Sequence, residues 1–270
     1  MASGLPDFDR PPVTEVAIGV QFRALELGTP HLSLLWPIFY KEFPKLEEKP
    51  LLEPTVERFG VPAKPATPKI KLLQRPPATR LWFVSDKGDE LVQVQPDRFN
   101  FNWREVEGGV YPRYENVESR FFSCFEVFTR FLSENGVPEL TVEQCEVVYV
   151  NRIRTAEGIW DSHAEAAHAV RLLTTDWGPF LGEPEDQGTS ARFVISEEQG
   201  PVGRLHITAE PRFFTSDSTP LVHLQLTARG APLGEELDGV QRFLRLGREW
   251  IVKGFADVTT EEMHTHWGKR

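Results

Sequence analysis

Between Arg98 and Arg104 the chain reads Arg-Phe-Asn-Phe-Asn-Trp-Arg, a large aromatic at every second position with an amide or guanidinium between. A period of two sends alternate side chains to opposite faces of a strand, so this segment predicts a strand with one apolar and one polar face. Two turns of helix cannot sort these residues that way. The aromatic face needs a cover of helices, and the polar face becomes the other side of a sheet.

The same alternation recurs along the chain. Val16, Ile18, Val20 and Phe22 alternate with Ala17, Gly19 and Gln21 over residues 14–23. Arg80–Ser85 and Leu91–Gln95 flank Asp86-Lys87-Gly88-Asp89, a hairpin signal. Further strands are expected at Glu143–Arg154, Arg192–Ser196, Gly203–Glu210 and Leu221–Ala228. Helical periodicity appears in three places. Leu32, Leu35, Trp36, Phe39 and Phe43 share one face after Thr29-Pro30, with Pro37 predicting a kink or break. Val117, Phe121, Phe125, Phe128 and Leu132 stripe a helix over 114–134 that Gly136 and Pro138 end. Leu237, Val240, Leu244, Ile251 and Phe255 stripe a last helix over 235–255. A capping pattern, Ser162 with Glu165, predicts an Ala-rich helix to about Leu173. Residues 44–79 are punctuated by eight prolines and read as an extended connector, with one short strand around Ile70–Leu73.

The order of elements predicts an α+β protein of two similar β-α-β(3-4)-α halves, residues 1–138 and 139–270. Their strands form an antiparallel sheet with helices packed on one face, and the halves share one continuous sheet or stand as separate domains. The element order resembles the duplicated arrangement of TATA-binding-protein-like folds. Paired ferredoxin-like or steroid-binding-like domains are the competing architecture.

Charge and cysteine usage narrow the function classes. The chain carries 30 basic and 40 acidic residues, a net charge of −10. Phosphate backbones are bound by Lys and Arg with release of counterions, so nucleic acid is disfavoured as a partner. Two cysteines, Cys124 and Cys145, do not make a disulfide framework, and no apolar run suits a signal peptide or a membrane span. The expected location is the cytoplasm, with no membrane partner.

No catalytic constellation stands out. There is no Gly-x-Ser-x-Gly elbow and no Gly-rich phosphate loop; Gly108-Gly109 lacks the lysine and the further glycines. Adjacent carboxylates such as Glu47-Glu48 and Glu235-Glu236 read as solvated surface. His264-Thr265-His266, with Glu261 and Glu262 upstream, is the densest histidine group, but a metal site needs further ligands, and His163 and His168 fall about 140° apart on a helix. No metal and no cofactor are expected.

The polar sheet face is the candidate binding surface. It gathers Gln93, Gln95, Arg98, Asn100, Asn102 and Arg104 from the first half, and His206, His223 and Gln225 from the second, with Thr208 and Thr227 among them. Amides, imidazoles and guanidiniums with few carboxylates are unusual in an acidic chain; the bland reading is the solvated side of an open sheet. The expected role is a non-enzymatic binding or assembly component whose partner is a protein or a small ligand on this face, with a homo-oligomer as a further option. Trp267-Gly268 at the end is a second candidate contact, although docking of Trp267 on its own domain is the favoured reading. The rivals are an enzyme or nuclease-like effector built from dispersed residues such as His206 and His223, and nucleic-acid binding through Arg98, Arg104, Arg152 and Arg154.

Three segments carry a family resemblance: Leu5-Pro6-Asp7-Phe8 through Pro11-Pro12-Val13-Thr14-Glu15-Val16, Asp97 to Trp103, and Met263-His264-Thr265-His266-Trp267-Gly268. They resemble the opening, central strand and ending of a sporadically distributed family of uncharacterised bacterial proteins of about this length. The resemblance implies a bacterial origin, and its patchy distribution implies a mobile or defence-associated system. It implies no activity and no site residues.

Overall fold

A computed structural model describes residues 4–60, 79–107, 109–137, 140–174 and 176–270. Nine strands form one antiparallel sheet: β1 Val13–Phe22, β2 Lys45–Pro50, β3 Thr79–Val84, β4 Glu90–Gln95, β5 Arg98–Arg104, β6 Val142–Arg154, β7 Thr189–Glu197, β8 Gly200–Phe213 and β9 Pro220–Gly230. Their spatial order is β2-β3-β4-β5-β1-β6-β9-β8-β7. β1 and β6 pair at the centre, so the sheet is continuous across the chain. Outward from that pair the order runs β5, β4, β3, β2 on one side and β9, β8, β7 on the other.

Among the described residues, both long helices lie on one face. Val16, Ile18 and Val20 of β1, with Phe99, Phe101 and Trp103 of β5, form the apolar surface under α3, Tyr114–Glu134. Phe99 stacks on Phe128 at 5.1 Å between ring centroids and packs against Phe121 and Phe125. Ile18 lies opposite Val147 in β6, which continues the same face under α4, Glu236–Val258. There Gly203 and Gly230, partners across β8 and β9, leave room for the ring of Phe243; a Cβ on Gly230 would stand 2.4 Å from it.

The first helical stretch breaks where Pro37 predicts. Short α1, Thr29–Leu32, passes through a 3-10 turn at Ser33–Leu35 into α2, Trp36–Phe39. Leu32, Leu35, Phe39 and Phe43 are buried and Trp36 is exposed. Proline removes the N–H that a continuous helix would use.

Three expectations need correction. The Ala-rich helix to Leu173 is only a 3-10 helix, His163–His168. The following residues are claimed by the end of α4 instead: Arg171 N–H donates to the Val258 carbonyl, Val170 bridges Thr259, and Thr260 N–H donates to the Ala169 carbonyl. Within α4, Leu237 is exposed rather than part of the apolar stripe. The proline-rich connector begins as the edge strand β2, paired to β3. The strand expected at Ile70–Leu73, and the positions of Gly108 and Pro138, lie outside the described residues.

The end of the chain is part of the fold. Helix α5, Glu261–Trp267, is capped by the Thr260 side chain and closed by Gly268 in the left-handed region. Trp267 is buried against Phe8 and Phe255, and Asp9 and Arg10 N–H groups donate to the Gly268 and Trp267 carbonyls. Of the two readings of Trp267, a partner contact gives way to docking on its own domain, because a large ring gains more from burial than from solvent. Among the described residues no helix is long and apolar enough to cross a membrane.

Candidate functional site

The strand register assembles a polar row that crosses the sheet on the face opposite the helices. Gln95 of β4 lies opposite Arg98 of β5, Arg98 opposite Gln21 of β1, and Gln21 opposite Gln144 of β6. Two residues along, Glu146 of β6 faces Arg229 of β9, and Arg229 faces Arg204 of β8. Six consecutive strands thus contribute one row.

An extended segment, residues 52–59, lies across it. Gln95 grips Leu52 in both directions: Leu52 N–H donates to Oε1 at 3.0 Å and Nε2 donates to the Leu52 carbonyl at 3.0 Å. Gln21 repeats the grip on Thr55, at 3.0 and 2.8 Å. Gln144 accepts from Glu57 N–H at 2.7 Å and donates to the Thr55 carbonyl. Arg98 and Arg204 donate to the Glu53 and Arg58 carbonyls at 3.3 and 2.9 Å. Spanning six strands at about 4.8 Å spacing demands a nearly fully extended backbone. An extended backbone that leaves its sheet presents bare N–H and C=O groups, and side-chain amides are the neutral groups that can both donate to and accept from it.

One side chain of the segment is read as a charge. Glu57, its side chain 9% exposed, accepts from His206 Nε2 at 2.6 Å, pairs with Arg204, and stands 3.7 Å from Arg229, which is itself paired to Glu146 at 2.5 Å. Burial acts to raise the Glu57 carboxyl, but the hydrogen bonds and charges of His206 and Arg204 overcome it and hold the group at about 2. The Arg204 guanidinium also stacks 4.3 Å from the Phe59 ring centroid.

The residues expected on this face from the sequence all lie on it, but most are enclosed rather than open to solvent. Gln95 and Arg98 belong to the row, and His206 holds Glu57. Burial, and the nearby Arg229 charge, depress the Arg98 guanidinium against the pull of Glu146 and Asp97. Gln93 and Asn102 form a separate buried chain, with Arg80 donating to Gln93, Gln93 to Asn102 at 2.7 Å, and Asn102 to Glu15 at 2.6 Å. Asn100 is buried against Gly19, where a Cβ would come within 2.1 Å of its Oδ1. Arg104 bonds the Gly88 carbonyl in the β3–β4 hairpin, and Gln225 bonds Thr227. His223 lies apart near Glu210 and Arg212, with burial the main cause of its lowered pKa.

His206 and His223 do not come together. His206 faces Thr227 while His223 faces Glu210, so the two are four residues apart along the strands, about 13 Å. Arg98 is enclosed and Arg104 is tied to the hairpin, while Arg152, opposite His223 on the same face, and Arg154, 4.0 Å from the Phe214 ring centroid, are exposed. His264, the center of the terminal histidine group, is buried between Thr259 and Glu261 as an internal link. Sequence reasoning missed Gln21, Gln144, Glu146, Arg204, Arg229 and Glu57. The first three alternate with core residues and could have been pooled with the face; nothing local marks Glu57. Comparison with protein-family models, curated proteins and solved structures finds no match to this chain.

Proposed function

We propose that the protein is a non-enzymatic binding component whose polar sheet face holds an extended polypeptide segment. The observation that carries this reading is the address of the row's hydrogen bonds: Gln21, Gln95, Gln144 and Arg98 all reach main-chain groups of residues 52–57. A surface that reads main chain can hold many sequences in one conformation, the logic of other modules that bind extended peptides. The mirrored strand order about β1 and β6 supports treating residues 1–138 and 139–270 as two similar halves, in the manner of TATA-binding-protein-like folds. Both cysteines are buried free thiols, which suits a reducing compartment.

The test is native mass spectrometry of the protein purified from its own host, beside the Gln95→Ala/Gln144→Ala double variant. The expected result is a bound polypeptide of defined mass on the wild type and its loss from the variant. A partner retained by the variant places the interface elsewhere, and a clean subunit mass for the wild type argues against the binding reading.

A further inference from the structure

The segment lying on the row indicates what the row binds. We propose that residues 52–59 are a displaceable self-ligand, and that the partner supplies an extended peptide of the same chemistry, a carboxylate followed two residues later by an aromatic ring. This rests on the reading of the face as a polypeptide groove.

Two side chains of the segment are recognised and the rest is held by its backbone. Glu57 meets Arg204, His206 and Arg229, and Phe59 stacks on Arg204. Elsewhere the row takes N–H groups of 52, 55 and 57 and carbonyls of 52, 53, 55 and 58, so the N–H that Pro54 lacks is not needed. The requirement placed on a competitor is therefore an extended backbone, an acid and a ring.

The segment is attached as an exchangeable ligand rather than as part of the core. No residue from 51 to 59 belongs to the apolar core, and Leu51 and Val56 are 41% and 46% exposed. The surface beneath is polar as well. When the segment lifts, water can satisfy every group on both sides, and such bonds contribute little net because water competes for them. A permanent cover would be expected to bury apolar surface, the dominant stabilising term. Local opening with few buried apolar contacts is also the kind that costs least.

Charge selects the competitor. Once Glu57 leaves, Arg204 and Arg229 lie side by side with Glu146 paired to Arg229, and Arg98 lies two places along the row. In a chain of net charge −10 this is a local excess of positive charge, and it favours an acidic peptide. The tethered segment competes at an effective concentration of about millimolar, so a short isolated peptide should bind the intact chain weakly, whereas a host partner retained through purification must out-compete the segment.

The experiment uses a fluorescent synthetic peptide of residues 51–60 and a full-length variant in which residues 52–59 are replaced by Gly and Ser at equal length. Fluorescence anisotropy should show the variant binding at least about tenfold more tightly than the intact chain. Adding Gln95→Ala and Gln144→Ala, or using a peptide with the Glu57→Lys change, should abolish the gain. On the intact chain, saturating peptide should speed hydrogen exchange at the amides of Leu52, Thr55 and Glu57. If the variant binds peptide but the intact chain neither binds it nor exchanges faster, the segment is a fixed cover; the self-ligand idea fails and the groove stands. A variant with a wild-type thermal melt that binds no peptide overturns both. Tighter binding of single-stranded oligo-dT than of peptide overturns the peptide class. Should the replacement not fold, Glu57→Gln carries the same arms.

Discussion

Burial alone would raise the Glu57 carboxyl, yet His206 and Arg204 hold it at about 2 against an ordinary value of 4.5. A depressed folded value stabilises the ionised docked segment above the ordinary pKa, and that stabilisation disappears as pH falls from 4.5 through 2. The shift corresponds to docking free energy on the order of 3 kcal/mol. In an acid titration the NMR signals of Leu52, Thr55 and Glu57 should move toward free-peptide positions while β1 amides hold; loss of both together would contradict a locally docked segment. Glu57→Gln at neutral pH should cost docking about 1–3 kcal/mol, since Arg204 loses its charge partner and His206 its carboxylate acceptor. The check is exchange protection at Thr55 and Glu57, with the thermal midpoint of the core nearly unchanged. At this scale the sequence was half legible. Gln95, Arg98 and His206 follow from alternation within their strands, whereas Glu57 sits in a proline-punctuated stretch with no period to place it.

At the scale of elements, α4 depends on the two glycines that β8 and β9 present to it. A Cβ on Gly230 would stand 2.3 Å from the Val202 carbonyl oxygen and 2.4 Å from Phe243, so Gly230→Ala must push strand or helix outward. The expected cost is about 2–3 kcal/mol. Gly182→Ala, where an added Cβ meets nothing within 4 Å, should stay within about 0.5 kcal/mol. Urea midpoints of the two variants decide between this account and one in which the helix is loosely seated. The helices α3 and α4 were legible because each buries a stripe with a 3.6-residue period. The stretch after Ser162 was misread for a physical reason. Its cap signal is local, but Val170, Arg171 and Ala169 gain backbone partners from residues near 258–260, and those bonds end the helical turn.

Across the whole molecule, residues 7–10 pair with residues 267–270. Phe8 bridges Lys269, Arg270 N–H donates to the Asp7 carbonyl, and the rings of Phe8, Phe255 and Trp267 pack together. Trp267→Ala should therefore cost about 3–5 kcal/mol. Its thermal midpoint should drop while peptide binding, measured with residues 52–59 replaced by Gly and Ser, is retained; lost binding with an unchanged midpoint would return Trp267 to the role of a contact residue.

The sequence by itself determined the class of structure: α+β, strands with one apolar and one polar face, and long helices bound to cover the former. Periodicity carries that information because it is written in neighbours along the chain. The alignment of Gln95, Arg98, Gln21 and Gln144 into one row was decided only by the tertiary structure, because register sets which residues face one another across strands. The placing of residues 52–59 across that row was decided there too, since an extended segment carries no periodic signal and its partners come from strands as distant in sequence as Gln144 and Arg204.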